Sequence, residues 1–139
     1  MVNLQNEHLL TLRVYYENTD AAGIVYHAEY LCFAERGRTE MLRDSGFEHA
    51  ALKRETGIAF AVRSLNIDYI SPAKLDDEIS VKTKITSITG ARMLMDQSLF
   101  RGEDLLVKLN LVLACINEQG KPVRMPEIVN KTFKEKIVR

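Results

Sequence analysis

The second half of the chain keeps a hydrophobic period of two residues, which is the repeat of a β-strand with one buried face. Four such runs follow one another: 59–69, 79–85, 91–101 and 105–117. The turns at Thr89-Gly90 and Gly102–Asp104 are short enough for hairpins, so consecutive strands are predicted to run antiparallel. The run at 105–117 is apolar on both faces, which indicates an internal place in the sheet.

One long helical pattern precedes this sheet. Before it, apolar residues alternate with polar ones in a half-buried strand: Leu10, Leu12, Val14 and Tyr16. In the helical pattern, apolar or small residues recur at helical spacing: Tyr30, Ala34, Gly37 and Met41. Gly46 is a suitable stop for this helix, and a short second helix is predicted over 47–55. Pro126 is expected at the first position of a terminal helix.

The composition favours one cytoplasmic globular domain over residues 1–139. With 46% hydrophobic residues, the chain can bury a large core. The 19 basic side chains balance 19 acidic ones, so no bulk charge attracts nucleic acid or an anionic membrane. The apolar runs are too short for an integral membrane segment, and the first residues lack a secretory pattern. Cys32 and Cys115 are predicted to be buried, reduced thiols.

These elements predict an α+β fold, in which an antiparallel sheet of about five strands wraps around one long central helix. A single helix covers only part of the apolar area of such a sheet. We therefore expect a second copy of the chain to cover the rest.

The segment from Thr19 to Tyr30 joins the first strand to the helix and holds the main candidates for chemistry. It places a carboxylate, a glycine and a histidine close together, at Asp20, Gly23 and His27. An ionisable group beside a helix N-terminus suits acyl-transfer chemistry. Alternatively, Asp20 caps the turn or the helix, as aspartate often does.

Four segments resemble one family of enzymes: residues 14–30, 35–43, 69–77 and 121–126. They are similar to the hotdog-fold acyl-CoA thioesterases of the 4-hydroxybenzoyl-CoA thioesterase family, and within it to the YbgC type associated with the Tol-Pal system. The resemblance covers about residues 10 to 135. One departure is Gly37, where this type usually has alanine and where glycine is expected to loosen the helix.

The resemblance implies a hotdog fold, homodimers or homotetramers, and an active site at the dimer interface. It also implies hydrolysis of an acyl-CoA substrate to the free acid and CoA, without a cofactor. An acyl carrier protein is a further candidate partner.

Thioester hydrolysis needs a base or nucleophile and donors for the oxyanion. Asp20 is the candidate for the first role, either attacking the carbonyl directly or activating a water. The backbone N–H of His27, near the helix start, is the candidate oxyanion donor, as the resemblance also implies. The His27 side chain could instead donate to the carbonyl or orient Asp20.

Two further residues are assigned to the site. The resemblance associates Tyr16 with the active site, where its hydroxyl could position water or substrate, although the ring could equally fill the core. Gly23 is a substrate-binding candidate because glycine permits a positive φ and close approach of the acyl group.

Other chemistry is disfavoured. Glu35 is expected to pair with Arg38 on the helix surface, and Arg36 with Glu40, rather than to act as a helix-borne catalyst. Cys32 and His27 do not share a helical face. The three histidines lack metal-ligand spacing, so no metal is predicted.

The phosphates of CoA call for basic side chains at the rim of the site. Arg92, after the turn at Gly90, is the substrate-binding candidate in this role. Other cations in similar loop positions are weaker candidates: Lys74, Lys121 and Arg124.

Two other functions compete with hydrolysis. A hotdog dehydratase would need a histidine on a strand, and the strands from residue 58 onward have none. A non-catalytic scaffold that binds acyl thioesters or an acyl carrier is the second alternative, and Asp20 argues against it. The acyl group stays open, since Phe33, Phe60 and Met93 could line its pocket or fill the core.

Overall fold

The computed structural model describes residues 6–137. In chain order the elements are β1 (Glu7–Arg13), α1 (Glu29–Asp44), α2 (His49–Thr56), β2 (Ala59–Tyr69), β3 (Glu78–Thr89), β4 (Arg92–Arg101), β5 (Asp104–Ile116) and α3 (Glu127–Lys134). A short 3-10 helix, Tyr16–Asn18, lies between β1 and α1.

The five strands form one sheet in the order β1-β3-β4-β5-β2, and all neighbours run antiparallel. The predicted hairpins β3–β4 and β4–β5 are confirmed, and Gly90 and Gly102 take the positive φ that their turns require. The predicted internal place of the last strand is also confirmed, because β5 lies between β4 and β2. The predicted α+β hotdog architecture is therefore confirmed.

Helix α1 packs across the central strands by a very close approach at Gly37. A Cβ atom on this residue would lie 2.6 Å from Val81 Cγ1 on β3, and 3.2 Å from Gln97 Nε2 on β4. The buried Gln97 amide donates one hydrogen bond to the Ala34 carbonyl at 2.8 Å and another to Thr83 Oγ1 at 2.9 Å. The absence of a side chain at Gly37 thus lets the helix backbone reach the polar groups of the sheet.

The structure corrects three details of the sequence prediction. Tyr16 is not on the first strand: β1 ends at Arg13, and Tyr16 begins the 3-10 helix with 82% of its surface exposed. Cys32 is exposed on α1, whereas Cys115 is buried as predicted. Pro126 caps α3 one residue before the predicted position.

The predicted stop of α1 at Gly46 is confirmed, and a second glycine ends α2. Gly46 lies two residues after the end of α1 with φ +95°, and Gly57 ends α2 with φ +74°. Among the helices of residues 6–137, none has the length and apolar character needed to cross a bilayer.

We predict that Gly37→Ala lowers the free energy of unfolding, although alanine favours a helix by about 1 kcal/mol over glycine. Its methyl group would clash with Val81, a stiff and fully buried side chain, and such overpacking costs about 1–3 kcal/mol. Chemical denaturation of the single variants and of the double variant Gly37→Ala/Val81→Ala measures this effect. In the Val81→Ala background we expect Gly37→Ala to be less destabilising, because only the contacts with Thr83 Oγ1 at 3.1 Å and Gln97 Nε2 at 3.2 Å remain. A stabilising effect in the native background would contradict the close approach.

Candidate active site

A tight turn places Asp20 in front of α1. The Gly23 N–H donates to the Asp20 carbonyl at 3.0 Å, and the Asp20 N–H donates to the Ile24 carbonyl at 2.9 Å. Gly23 has φ +81°, which explains why a glycine stands here. The Asp20 carboxylate accepts the Ala22 N–H at 2.8 Å through Oδ1. This local bond fixes the side chain in the turn and leaves Oδ2 available.

The start of α1 presents two backbone donors close to this turn. The Glu29 N–H donates to the Tyr26 carbonyl at 2.8 Å, which fixes the peptide plane that carries the His27 N–H. Within residues 6–137, neither the His27 nor the Ala28 N–H donates to a protein acceptor. Unused N–H groups at a helix start are the feature that an oxyanion site requires.

Tyr69, at the end of β2, fixes the next peptide plane. Its hydroxyl donates to the His27 carbonyl at 2.9 Å. Because a trans peptide is planar, holding this carbonyl also fixes the direction of the Ala28 N–H. The Tyr69 ring lies edge-on to the rings of His27 and Tyr30, with centroids 6.3 Å and 5.7 Å away.

Asp20 and His27 line the same open cleft of about 400 Å³. Its other walls come from the segment after Gly23, from α1 and from the end of β2 with the loop that follows: Ile24, Val25, Tyr30, Tyr69, Ile70, Ser71 and Pro72. Most of these side chains are apolar. The cleft therefore combines one carboxylate and the histidine at the start of α1 with apolar walls, as acyl-group chemistry needs.

Polar contacts hold the loop between β2 and β3 to α1 and to β4. The Tyr30 hydroxyl accepts the Ala73 N–H at 2.9 Å. Burial raises the pKa of Tyr30 and outweighs this hydrogen bond, so the phenol stays neutral. Arg101 of β4 contacts Asp77 at 2.8 Å, and Asp77 also accepts the Lys74 N–H at 2.9 Å.

Of the other predicted site residues, Gly23 is close to the cleft, whereas Tyr16 and Arg92 are not among the residues that line it. Gly23 belongs to the turn that carries Asp20. Tyr16 lies outside the residues that line the cleft, on the exposed 3-10 helix. Arg92 starts β4 and pairs with Ala114, so in one copy it is at the opposite end of the sheet from the cleft.

Among the basic candidates, Lys74 is nearest to the cleft because it pairs with Ile24, a lining residue. Lys121 lies next to the far end of β5, where its carbonyl accepts the Asn117 N–H. Arg124 follows it towards α3. The cleft of one copy therefore has a single nearby basic side chain from this set.

The predicted ion pairs on α1 are wrong. Arg38 is buried and donates to the Gln97 side-chain oxygen at 2.9 Å, and no carboxylate of residues 6–137 lies within 4.0 Å of it. Glu40 pairs with Arg43 rather than with Arg36. Glu35 is exposed on the flank of the helix and does not line the cleft.

Tyr69 and Asn18 are the two supporting residues that the sequence did not single out. Asn18 is buried, accepts the Tyr15 N–H through its side chain at 2.7 Å, and accepts the Tyr26 N–H through its carbonyl at 2.9 Å. It thereby ties the 3-10 helix to the residue before His27. No local sequence signal indicates the role of Tyr69, because its partner His27 lies 42 residues away in the chain.

No group of three or more His, Cys, Asp or Glu side chains in the described residues is placed to hold a metal ion.

Comparisons with known proteins give one consistent family. Residues 22–108 match the model of the "Thioesterase superfamily". The chain is 44% identical over 131 residues to acyl-CoA thioesterase YbgC of Haemophilus influenzae, covering 94% of this chain and 96% of the relative. It is 41% identical over 126 residues to acyl-CoA thioester hydrolase YbgC of Escherichia coli, covering 89% and 93%. A probable thioesterase of Bartonella henselae has a similar crystal structure, with 43% identity and a TM-score of 0.83 over 86% of this chain and 99% of the other.

We predict that Asp77→Asn destabilises the protein at neutral pH but not in strong acid. Burial opposes ionisation of Asp77, but hydrogen bonds from Arg101 and the Lys74 N–H outweigh it and hold its pKa below the usual 3.8. A folded-state pKa below the unfolded one gives stability that is complete above the ordinary value and is lost as the pH falls through the folded-state value.

At pH 7 the expected loss is about 1 kcal/mol, or roughly 3 °C in Tm. Thermal unfolding between pH 7 and pH 2 measures it, with the neighbouring Asp76→Asn as control. A difference from the native protein that persists unchanged below pH 3 would contradict this account.

Proposed function

Because the chain belongs to the thioesterase superfamily, we propose that it hydrolyses acyl-CoA thioesters to the free acid and CoA, with Asp20 as the reacting carboxylate. Two names of close relatives, acyl-CoA thioesterase and acyl-CoA thioester hydrolase, support the substrate class. The single observation that carries the assignment is the shared cleft, in which Asp20 lies with His27 at the start of α1.

Asp20 has two routes to the same products. As a nucleophile, its free Oδ2 attacks the thioester carbon, CoA leaves as the thiolate, and water hydrolyses the resulting mixed anhydride. As a general base, Asp20 takes a proton from a water that attacks the same carbon, and this proton passes to the departing thiolate. Both routes need the carboxylate held in place, and the bond from the Ala22 N–H at 2.8 Å does this.

Each route forms an oxyanion at the thioester carbonyl, and the start of α1 offers the donors for it. The His27 N–H is the primary donor in this proposal, and the Ala28 N–H is next to it. Their peptide planes are fixed before substrate binds, by Glu29 and by Tyr69. Fixed donors need no reorganisation when charge develops, which is why they are effective.

The phosphates of CoA need basic side chains close to the cleft. Lys74 is the basic side chain best placed to meet a phosphate beside the cleft. Arg92 can serve the same cleft only from a second copy of the chain, because it is at the far end of its own sheet.

The edge strand β2, which carries the exposed side chains of Val62 and Tyr69, supports a homodimer. An acyl carrier protein stays an alternative donor of the acyl group.

We predict that Asp20→Asn lowers kcat for acyl-CoA hydrolysis by at least about a hundredfold, because the amide is neither a nucleophile nor a base. A panel of short, long and aromatic acyl-CoA esters with a thiol reagent measures CoA release. The control is Glu17→Gln, which removes an exposed carboxylate three residues before Asp20 without touching the turn.

Full activity of Asp20→Asn would exclude the assigned role. Tight acyl-CoA binding by the native protein without release of CoA on any ester would instead identify a scaffold.

We predict that Tyr69→Phe lowers kcat by roughly tenfold and leaves KM nearly unchanged, because the variant keeps the ring but releases the His27 carbonyl. The loss falls on the transition state, where the oxyanion is formed. Steady-state kinetics measures this split. Tyr26→Phe is the matched control, since the Tyr26 hydroxyl makes no hydrogen bond within residues 6–137. A rise in KM with native kcat would assign Tyr69 to substrate binding instead.

A further inference from the structure

Asp20 is carried by a short hairpin, residues 18–26, rather than by α1 itself. The two arms of this Asp20 hairpin are joined by three antiparallel contacts: between Asn18 and Tyr26, between Thr19 and Val25, and between Asp20 and Ile24. The return arm leads directly into His27, whose N–H is the candidate oxyanion donor. The position of the Asp20 carboxylate relative to this donor therefore depends on what holds the hairpin.

The return arm of the Asp20 hairpin is docked on the loop that follows β2. The Val25 N–H donates to the Ala73 carbonyl at 2.9 Å, and Ile24 pairs with Lys74 in an antiparallel bridge. Val25 and Ala73 are almost fully buried, with 2% and 0% of their surfaces exposed. Ala73 is thus the point at which this loop holds the hairpin.

Arg101 of β4 reaches both peptide planes that flank Ala73. Its Nη1 atom contacts the Pro72 carbonyl oxygen at 3.4 Å, in the plane that carries the Ala73 N–H. The same nitrogen donates to Asp77 Oδ2 at 2.8 Å. This oxygen also accepts the Lys74 N–H at 2.9 Å, in the plane that carries the Ala73 carbonyl. Because a trans peptide is planar, holding one group of each plane also directs the other group.

The two groups of Ala73 that are directed in this way contact the two halves of the candidate site. The N–H donates to the Tyr30 hydroxyl of α1 at 2.9 Å, and the carbonyl accepts the Val25 N–H of the Asp20 hairpin. Arg101 is not among the residues that line the cleft. Its contacts nevertheless act on the position of the hairpin relative to the helix.

We propose that Arg101 is a positioning residue, which holds the Asp20 hairpin against the start of α1 in the arrangement that hydrolysis needs. The inference rests on the function proposed above. Nη1 of Arg101 carries two N–H groups, one for the Pro72 carbonyl and one for the Asp77 carboxylate. The bond to Asp77 joins two charged groups and is roughly twice as strong as a neutral one. Since both side chains are partly buried, salt screens this pair less than an exposed one.

Arg13 of β1 offers a matched control, because it makes the same kinds of contact to the same loop. Its Nη1 atom donates to the Asp76 carbonyl at 2.8 Å, and Nη2 donates to the Glu78 carboxylate at 3.3 Å. Within residues 6–137, no hydrogen bond joins Asp76 or Glu78 to Tyr30 or to the Asp20 hairpin. An effect of Arg101 that Arg13 does not share therefore comes from the planes at Ala73 and not from loop stability alone.

Amide hydrogen exchange in the full-length protein tests the positioning without any substrate. In Arg101→Met we expect exchange of the Val25 and Ala73 N–H groups to rise at least about tenfold more than that of the Leu109 N–H in β5, which reports global unfolding. Arg13→Met should leave Val25 and Ala73 at native rates relative to the same reference. Native rates at both groups in Arg101→Met, or an equal rise in Arg13→Met, would overturn the proposal.

Steady-state kinetics with acyl-CoA esters tests the consequence for catalysis, at a temperature at which both variants are fully folded. Arg101→Met should lower kcat about tenfold and change KM less than about threefold, because a misplaced carboxylate costs more in the transition state than in substrate binding. Arg13→Met should keep the native kcat. A native kcat in Arg101→Met, or a loss confined to KM, would overturn the positioning role.

The two measurements separate this inference from the proposed function. If the native protein releases CoA from no ester, the proposed hydrolysis fails, and the exchange rates still decide whether Arg101 holds the Asp20 hairpin. If the native protein is active and Arg101→Met matches it in both measurements, hydrolysis stands and the role of Arg101 is excluded.

Discussion

The close packing of α1 on the sheet at Gly37 is the constraint on which the rest of the structure depends. Because this residue has no side chain, the helix backbone approaches Val81 and Gln97 closely enough for the Gln97 amide to bond the Ala34 carbonyl. These contacts fix both the distance of the helix from the sheet and its position along β3 and β4. The cleft at the start of the helix follows from this position.

A second set of contacts lies at the start of α1 and orients the groups of the candidate active site. Tyr69 and Tyr30 connect the helix to the end of β2 and to the loop after it. The turn closed by Gly23 brings Asp20 to the same cleft. The carboxylate and the backbone donors therefore come from neighbouring segments of the chain, while the residues that orient them come from distant strands.

The origin of these contacts explains how much the sequence could predict. The strands, the hairpins and the ends of α1 follow from local periodicity and glycine positions, and these predictions hold. Asp20 and His27 were found because they lie in one continuous motif that resembles a known family. Tyr69 and Arg38 act through contacts 42 and 59 residues away in the chain, so no local pattern indicates them. Helical spacing even suggested a surface ion pair for Arg38, because spacing alone does not show which flank the sheet buries.

The account rests on the claim that the thioester carbonyl binds at the start of α1 with its carbon facing Asp20. A crystal structure of the Asp20→Asn variant with a bound acyl-CoA ester tests this most directly. We expect the carbonyl oxygen about 2.7–3.1 Å from the His27 nitrogen, with Tyr69 still bonded to the His27 carbonyl. A thioester bound elsewhere, or a His27 N–H engaged by a protein acceptor in that complex, would contradict it.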